Sequence, residues 1–166
     1  MCGDRRKKPS VSICAGLVLG LSWLALTGIG CRTQGEGPIN SIRLFTSPVL
    51  FNLDGEPGPD AFKARVYAVR DSVPKPVPFT KGTLEIIIID EALNRDQQNP
   101  PRQVWSFSGL VLNQHRIQTS IGYSYDFTLE IDKSKPLPAK VSVGAMYTPP
   151  SGSPVFAKRV RITVEP

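Results

Sequence analysis

Residues 123–131 have the sequence Tyr-Ser-Tyr-Asp-Phe-Thr-Leu-Glu-Ile, in which large apolar and polar side chains alternate. Successive side chains of a β-strand point to opposite faces, so this period of two predicts a strand with one buried and one exposed face. Its buried face would carry Tyr125, Phe127, Leu129 and Ile131. The stretch is the clearest strand signal in the chain, and it favours a β-rich fold.

Six more segments on either side of this stretch show a similar pattern. They are residues 41–44, 61–70, 83–89, 104–107, 141–147 and 160–164. Proline-rich breaks lie between several of them, at residues 56–59, 74–78, 100–101 and 149–154. About seven short strands at this spacing predict an all-β fold, an immunoglobulin-like or transthyretin-like β-sandwich.

Helices are expected to be rare, because 15 of the 16 prolines follow residue 30 and proline interrupts helices. Only residues 110–117 have helix-like content, and we expect one or two turns there that cross between the sheets. The Cys…Trp…Cys pattern of antibody-type domains is absent from the sequence. The prediction therefore concerns the β-sandwich architecture and does not imply membership of the antibody-type family.

The run of four isoleucines at residues 86–89 presents apolar groups on both faces of one strand. Such a strand is expected in the centre of a sheet, with one face in the core. The other face needs a cover, either residues 110–117 of the same domain, which we favour, or another protein.

Three cations, Lys158, Arg159 and Arg161, lie on the last predicted strand. Arg159 and Arg161 share the face opposite Val160 and Ile162. Charge at this position discourages edge-to-edge pairing of sheets, which is the favoured interpretation. The alternative is an anionic partner in the cell envelope.

The first thirty residues have the character of an export signal. Arg5, Arg6, Lys7 and Lys8 form a basic block, and residues 11–30 contain no charged side chain. A basic block followed by an apolar stretch and small residues is typical of bacterial export signals. Lys7, Lys8 and Pro9 follow the arginine pair where apolar residues would be expected, which argues against a twin-arginine signal.

The end of this stretch, Thr27-Gly28-Ile29-Gly30-Cys31, resembles the lipobox of bacterial lipoproteins. The resemblance implies that Cys31 receives the lipid and becomes the mature N-terminus. The sequence departs from the usual pattern at Gly28, where leucine is normal. Residues 11–30 could instead remain as a signal anchor, since twenty apolar residues can span a bilayer, or be removed by conventional cleavage. All three fates place the domain outside the cytoplasm.

Removal of residues 1–30 changes the charge and the cysteine count. The remaining 136 residues carry 16 basic and 13 acidic side chains, a net charge of +3 instead of +6. Half of the apparent basicity belongs to the targeting segment, so a nucleic-acid partner is not expected. Cys2 and Cys14 also leave, so no cysteine pair remains for a disulfide.

The predicted organisation is a signal peptide at residues 1–30, a lipidated Cys31 with a flexible tether at residues 31–38, and a β-sandwich at residues 39–166. Residues 32–38 are polar and glycine-rich, as flexible tethers are. Bacterial lipoproteins retained in the inner membrane tend to have aspartate after the lipidated cysteine. Arg32 in that place favours the periplasmic side of the outer membrane.

No constellation of residues predicts catalysis. His115 is the single histidine, and no recognisable nucleophile and orienting acid accompany it; it is expected in a loop or at the surface. Asp126 and Glu130 would lie about 13 Å apart on one strand, too far for glycoside hydrolysis. Glu130 and Asp132 would lie about 6.6 Å apart on a flat, solvated strand face without a cleft.

Metal and sugar binding are weaker alternatives. Residues 52–56 of the 52–60 loop place oxygen ligands at alternate positions, as Ca²⁺ loops do, but prolines at 57 and 59 interrupt the pattern. A second acidic loop contains Asp90, Glu91 and Asp96. Both loops are also typical of turns that need no ion, so no metal or other cofactor is expected. Trp105, Tyr123 and Tyr125 could form a platform for a sugar, although Trp105 is expected in the core.

The favoured hypothesis is a non-catalytic lipoprotein of the cell envelope that binds or scaffolds other envelope components. The order of tether, first strand, proline-containing loop, Ala64-Arg65-Val66-Tyr67 and the late strand at 141–147 is similar to the small outer-membrane lipoprotein of type VI secretion. That resemblance implies an envelope protein as the partner. The alternative is a membrane-anchored module whose loops bind carbohydrate or Ca²⁺.

Overall fold

The fold of the chain is almost entirely β in the computed structural model, which describes residues 37–91 and 100–164. The elements in chain order are β1 (Ser41–Thr46), β2 (Ala61–Val69), β3 (Thr83–Asp90), β4 (Gln103–Ser108), α1 (Gly109–Gln114), β5 (Arg116–Thr119), β6 (Gly122–Glu130), β7 (Lys140–Thr148), β8 (Val155–Phe156) and β9 (Val160–Thr163). The described part of the chain thus has nine strands, against about seven expected. The all-β prediction is confirmed.

The two additional strands, β5 and β8, carry little sequence signal. β5 is exposed at all four positions, and β8 has only two residues after a proline-rich break. Short exposed strands of this kind form because a neighbouring strand supplies hydrogen-bond partners. Their sequences show no alternation of apolar and polar residues from which they could be predicted.

The strands form two sheets in which every pair of named strands is antiparallel. Sheet 1 has the order β1-β2-β6-β5, and sheet 2 has the order β4-β3-β7-β8, with β9 also paired to β7. Helix α1 follows β4 in sheet 2 and precedes β5 in sheet 1, so it crosses between the sheets as predicted. No helix in residues 37–91 and 100–164 is long and apolar enough to span a bilayer.

One core contains the inward side chains of both sheets, the arrangement of a β-sandwich. The rings of Phe62 in sheet 1 and Trp105 in sheet 2 meet edge to face at 5.6 Å between centroids. Phe107 and Phe127 make a second contact between the sheets at 4.6 Å. The largest fully buried apolar side chains are Tyr125, Phe62, Leu84, Ile86, Ile88, Ile162, Val66, Val141 and Val143.

Strand β3 lies between β4 and β7, so the prediction of a central strand is confirmed. Ile86 and Ile88 are fully buried in the core, whereas Ile87 and Ile89 lie on the outer face of sheet 2 and are only half-buried. The predicted cover of that face by residues 110–117 is wrong. Leu112 packs into the core, and the other large apolar side chains of the segment, Leu110, Val111 and Ile117, are exposed.

Candidate functional site

The predicted lipid-attachment site, Cys31, lies outside the described residues, as does the whole predicted signal segment. The other candidate residues fall within the sandwich, with the exception of Asp96. Their positions show which predicted clusters form and which do not.

The acidic loop between β1 and β2 brings its carboxylates together, but around an ammonium group of the protein itself. Lys133 Nζ lies 2.7 Å from Asp54 Oδ2, 3.3 Å from Asp60 Oδ2 and 3.9 Å from Glu56 Oε2. Residues 37–91 and 100–164 contain no group of three or more His, Cys, Asp or Glu side chains placed to hold a metal ion. Lys133 therefore places a positive charge of the protein among the carboxylates from which a Ca²⁺ site was considered.

Hydrogen bonds displace the pKa values of Asp54 and Lys133. The ammonium group of Lys133 and the backbone N–H of Glu56 lower the pKa of Asp54. The hydrogen bond to Asp54 raises the pKa of Lys133. Because the folded-state pKa of Asp54 lies below the unfolded value, this contribution to stability is present at neutral pH and disappears as the pH falls through the folded-state pKa.

Asp60 is the anchor of the loop. It is 5% exposed, and its two carboxylate oxygens accept hydrogen bonds from the backbone N–H groups of Leu53 and Asp54, at 2.7 and 3.3 Å. We expect Asp60→Ala to lower the free energy of unfolding by about 2 kcal/mol, because partly buried donors lose their acceptor. Urea unfolding followed by fluorescence measures the change.

Asp60→Asn is the matched control, because it keeps one oxygen acceptor while it removes the charge. It should cost less than Asp60→Ala. If both substitutions left the free energy of unfolding unchanged, the anchoring role of Asp60 would be wrong.

The second acidic loop uses its carboxylates in ion pairs. Arg102 Nε donates to Asp90 Oδ1 at 2.6 Å, and Arg161 Nε donates to Glu91 Oε1 at 2.6 Å. Ser142 Oγ also donates to Glu91, and this bond and Arg161 lower the pKa of the Glu91 carboxyl. Asp96 lies outside the described residues. These ion pairs with arginine account for the positions of Asp90 and Glu91, and no metal ion is needed to explain them.

His115 is a packing residue at the C-terminal end of α1. Its ring lies against Phe127 at 4.5 Å between centroids and meets Phe107 edge-on at 5.2 Å. Its Nδ1–H donates to the Asp126 carbonyl oxygen at 3.1 Å. The expectation of a loop or surface histidine is met in that His115 lies in the turn between α1 and β5, where its half-buried side chain contacts β6.

The three carboxylates considered for hydrolysis have structural surroundings. Asp126 is held by both Nε and Nη2 of Arg65, on the neighbouring strand. Asp132 accepts hydrogen bonds from the backbone N–H and the hydroxyl of Ser134, which lower its pKa. A general acid requires a raised pKa, so Asp132 is unsuited to that role. Glu130 is exposed at the end of β6.

The aromatic residues considered as a sugar platform do not form one surface. Tyr125 is fully buried, its oxygen accepts a hydrogen bond from the Phe79 N–H at 2.9 Å, and burial raises its pKa. Trp105 packs against the core, as expected. Tyr123 is half-buried beneath the guanidinium of Arg116, which lies 5.7 Å from its ring centroid.

A groove that the sequence did not single out lies on the outer face of sheet 1. We call it the basic-aromatic groove and define it by Arg43, Phe45, Arg65 and Tyr67. Arg43 is paired in register with Tyr67, and Phe45 with Arg65, so cations and rings alternate along both strands. The sequence does contain alternating cations and rings, as Arg-x-Phe in β1 and as Lys-x-Arg-x-Tyr in β2. Only the register of the two strands shows that these side chains are neighbours.

The outer face of sheet 2 has a different character. Val104 and Phe156 are 45% and 67% exposed there, and Ile87 lies opposite Val104 in the register. Arg161 is paired with Glu91. Arg159 runs across Gly144, with its Cγ 3.6 Å from the position of a Cβ atom on that glycine. The face is thus apolar with a basic margin.

Comparison with protein-family models, with curated proteins and with solved structures finds no match for this chain.

Proposed function

We propose that the protein is an exported, non-catalytic lipoprotein of the cell envelope that binds or scaffolds other envelope components. The observation that carries the proposal is the sequence of a basic block, twenty uncharged residues and Gly30-Cys31 immediately before the β-rich domain. An acyl anchor on Cys31 would leave a tether of seven residues before the sandwich. The sandwich itself is proposed to be immunoglobulin-like or transthyretin-like.

The chemistry of the described residues supports a binding role. The carboxylates whose pKa values are displaced, Asp54, Glu91 and Asp132, are displaced downward by hydrogen bonds or ion pairs within the fold. Active sites commonly require groups whose pKa values move toward neutrality. The outer faces of sheet 1 and sheet 2 are broad surfaces, which suit a protein partner better than a small substrate.

A loop-based Ca²⁺- or carbohydrate-binding module is the less favoured function. Lys133 already lies among the carboxylates of the first acidic loop, and arginines occupy Asp90 and Glu91 of the second. The candidate aromatic side chains are divided between the core and the surface. The proposed partners are the membrane, through a lipid on Cys31, and an envelope protein. A nucleic-acid partner is not proposed. The favoured location is the periplasmic side of the outer membrane.

The lipid anchor is tested by metabolic labelling with an alkyne fatty acid in bacteria that express the full chain. We expect the wild type to carry label in the membrane fraction and Cys31→Ala to lose essentially all of it. The matched control is Cys14→Ala, which removes a thiol from the uncharged stretch and should leave labelling unchanged. Label that persists on Cys31→Ala, or intact unlabelled wild type in the cell interior, would contradict the proposal.

A further inference from the structure

The basic-aromatic groove consists of two adjoining sections along β1 and β2 that share Phe45 and Arg65. The first, of about 500 Å³, has apolar walls that include Pro74, Pro76 and Ile121. The second, of about 410 Å³, is bordered by polar side chains that include Lys63 and Thr128. Phe45 and Arg65 border both sections, so the two adjoin; Arg43 borders the first and Lys63 the second.

The charge of the groove is positive, and part of it is available to a ligand. Asp126 neutralises Arg65 and holds its guanidinium in place. Arg43 is exposed and forms no ion pair with any residue in 37–91 or 100–164. Lys63 likewise forms no ion pair in that part of the chain, and its ammonium lies 6.0 Å from the ring centroid of Phe51. Two cations therefore border the groove with no counter-charge from the described residues, which favours an anionic ligand.

The aromatic geometry indicates what else the ligand carries. Phe45 and Tyr67 are perpendicular, at 89° between ring planes and 5.8 Å between centroids. A sugar or base needs a flat ring face to stack upon, whereas two perpendicular rings beside prolines form a corner that suits a compact apolar side chain. Phe45 is 55% exposed, so a ligand in this corner would remove apolar surface from water.

We propose that the basic-aromatic groove binds an extended acidic segment of a partner protein. An apolar side chain of that segment would lie in the corner between Phe45 and Tyr67, and its carboxylates would lie against Arg43 and Lys63. From position 63 to position 69, β2 spans about 20 Å, the length of six extended residues. The inference deepens the proposed binding function and rests on it.

The test measures fluorescence anisotropy with the full lipid-bearing protein in detergent micelles. The probe is a fluorescein-labelled pool of decapeptides in which Glu alternates with Leu, Phe, Tyr or Pro. We expect saturable binding that weakens at least tenfold for Arg43→Glu and for Lys63→Glu. The matched control is Arg159→Glu on sheet 2, which reverses an exposed arginine away from the groove and should change affinity less than twofold.

Three comparison ligands separate the possible sources of binding: a pool with Gln in place of Glu, polygalacturonate, and micelles that contain phosphatidylglycerol. Saturable binding of the acidic pool that none of them matches or displaces supports the proposal. It is overturned if the acidic pool does not bind, if the Gln pool binds equally, if the glycan or the lipid displaces the peptide, or if Arg159→Glu weakens binding as much as Arg43→Glu. Fatty-acid labelling of Cys31 is independent of these outcomes, so a groove that binds no peptide and a protein that carries no lipid are distinguishable.

Discussion

Ile86→Ala is expected to lower the free energy of unfolding by about 3 kcal/mol. Ile86 is fully buried and lies opposite Trp105 and Ala145 in the central strand of sheet 2. Removal of three buried carbon atoms loses their transfer free energy and leaves a cavity that the flanking strands cannot close. Urea unfolding followed by Trp105 fluorescence measures the loss.

Ile87→Ala is the matched control, because Ile87 is the next residue of the same strand and points to the opposite face. It is half-buried beside Val104 and Gly144, so we expect a cost of about 1 kcal/mol or less. Equal costs at both positions would mean that the outer face of sheet 2 is as closely packed as the core. A larger cost at Ile87 would reverse the assignment of the two faces.

Gly82→Ala is expected to destabilise the fold by about 3 kcal/mol or more. Gly82 immediately precedes β3 and has φ of +97°, a conformation that alanine adopts only with strain. A Cβ atom there would lie 2.4 Å from the Thr148 carbonyl oxygen. Thr148 pairs with Thr83 across β3 and β7, so relief of the overlap would separate the two central strands of sheet 2 at that end.

Gly55→Ala separates the two causes of this effect. Gly55 has a similar φ of +81°, but nothing lies within 4 Å of a Cβ atom built on it. It should therefore show the backbone strain alone, about 1 kcal/mol. The urea midpoints of Gly82→Ala and Gly55→Ala are compared, and the additional destabilisation of Gly82→Ala is assigned to the contact with Thr148. If Gly82→Ala unfolded at the same urea concentration as Gly55→Ala, the steric argument would be wrong.

The sequence predicted those parts of the fold that depend on burial along one strand. The alternation at residues 123–131 predicted β6, and the isoleucine run predicted a central strand, because in both cases the pattern of apolar side chains contains the necessary information. β5 and β8 could not be found in this way, since their residues are largely exposed and a neighbouring strand makes them ordered.

The candidate sites depended on contacts between distant residues, which a single sequence does not display. Lys133 lies 79 positions from Asp54, and nothing in the local pattern of the acidic loop indicates that an ammonium group fills it. The basic-aromatic groove likewise requires the register of β1 against β2, which places Arg43 beside Tyr67. The prediction of lipid attachment at Cys31 depends on adjacent residues alone, because a targeting signal is local in sequence. It stays a prediction.

Lys133 gives the acidic loop a counter-ion that is covalently part of the polypeptide. Its local concentration is set by chain geometry, so neither dilution nor a chelator can remove it. A loop closed by a dissociable ion would open and close as the concentration of that ion varied, whereas the ammonium group of Lys133 is always present. The consequence is a loss of responsiveness, because carboxylates that already contact a covalently attached ammonium group depend less on the ions of their medium.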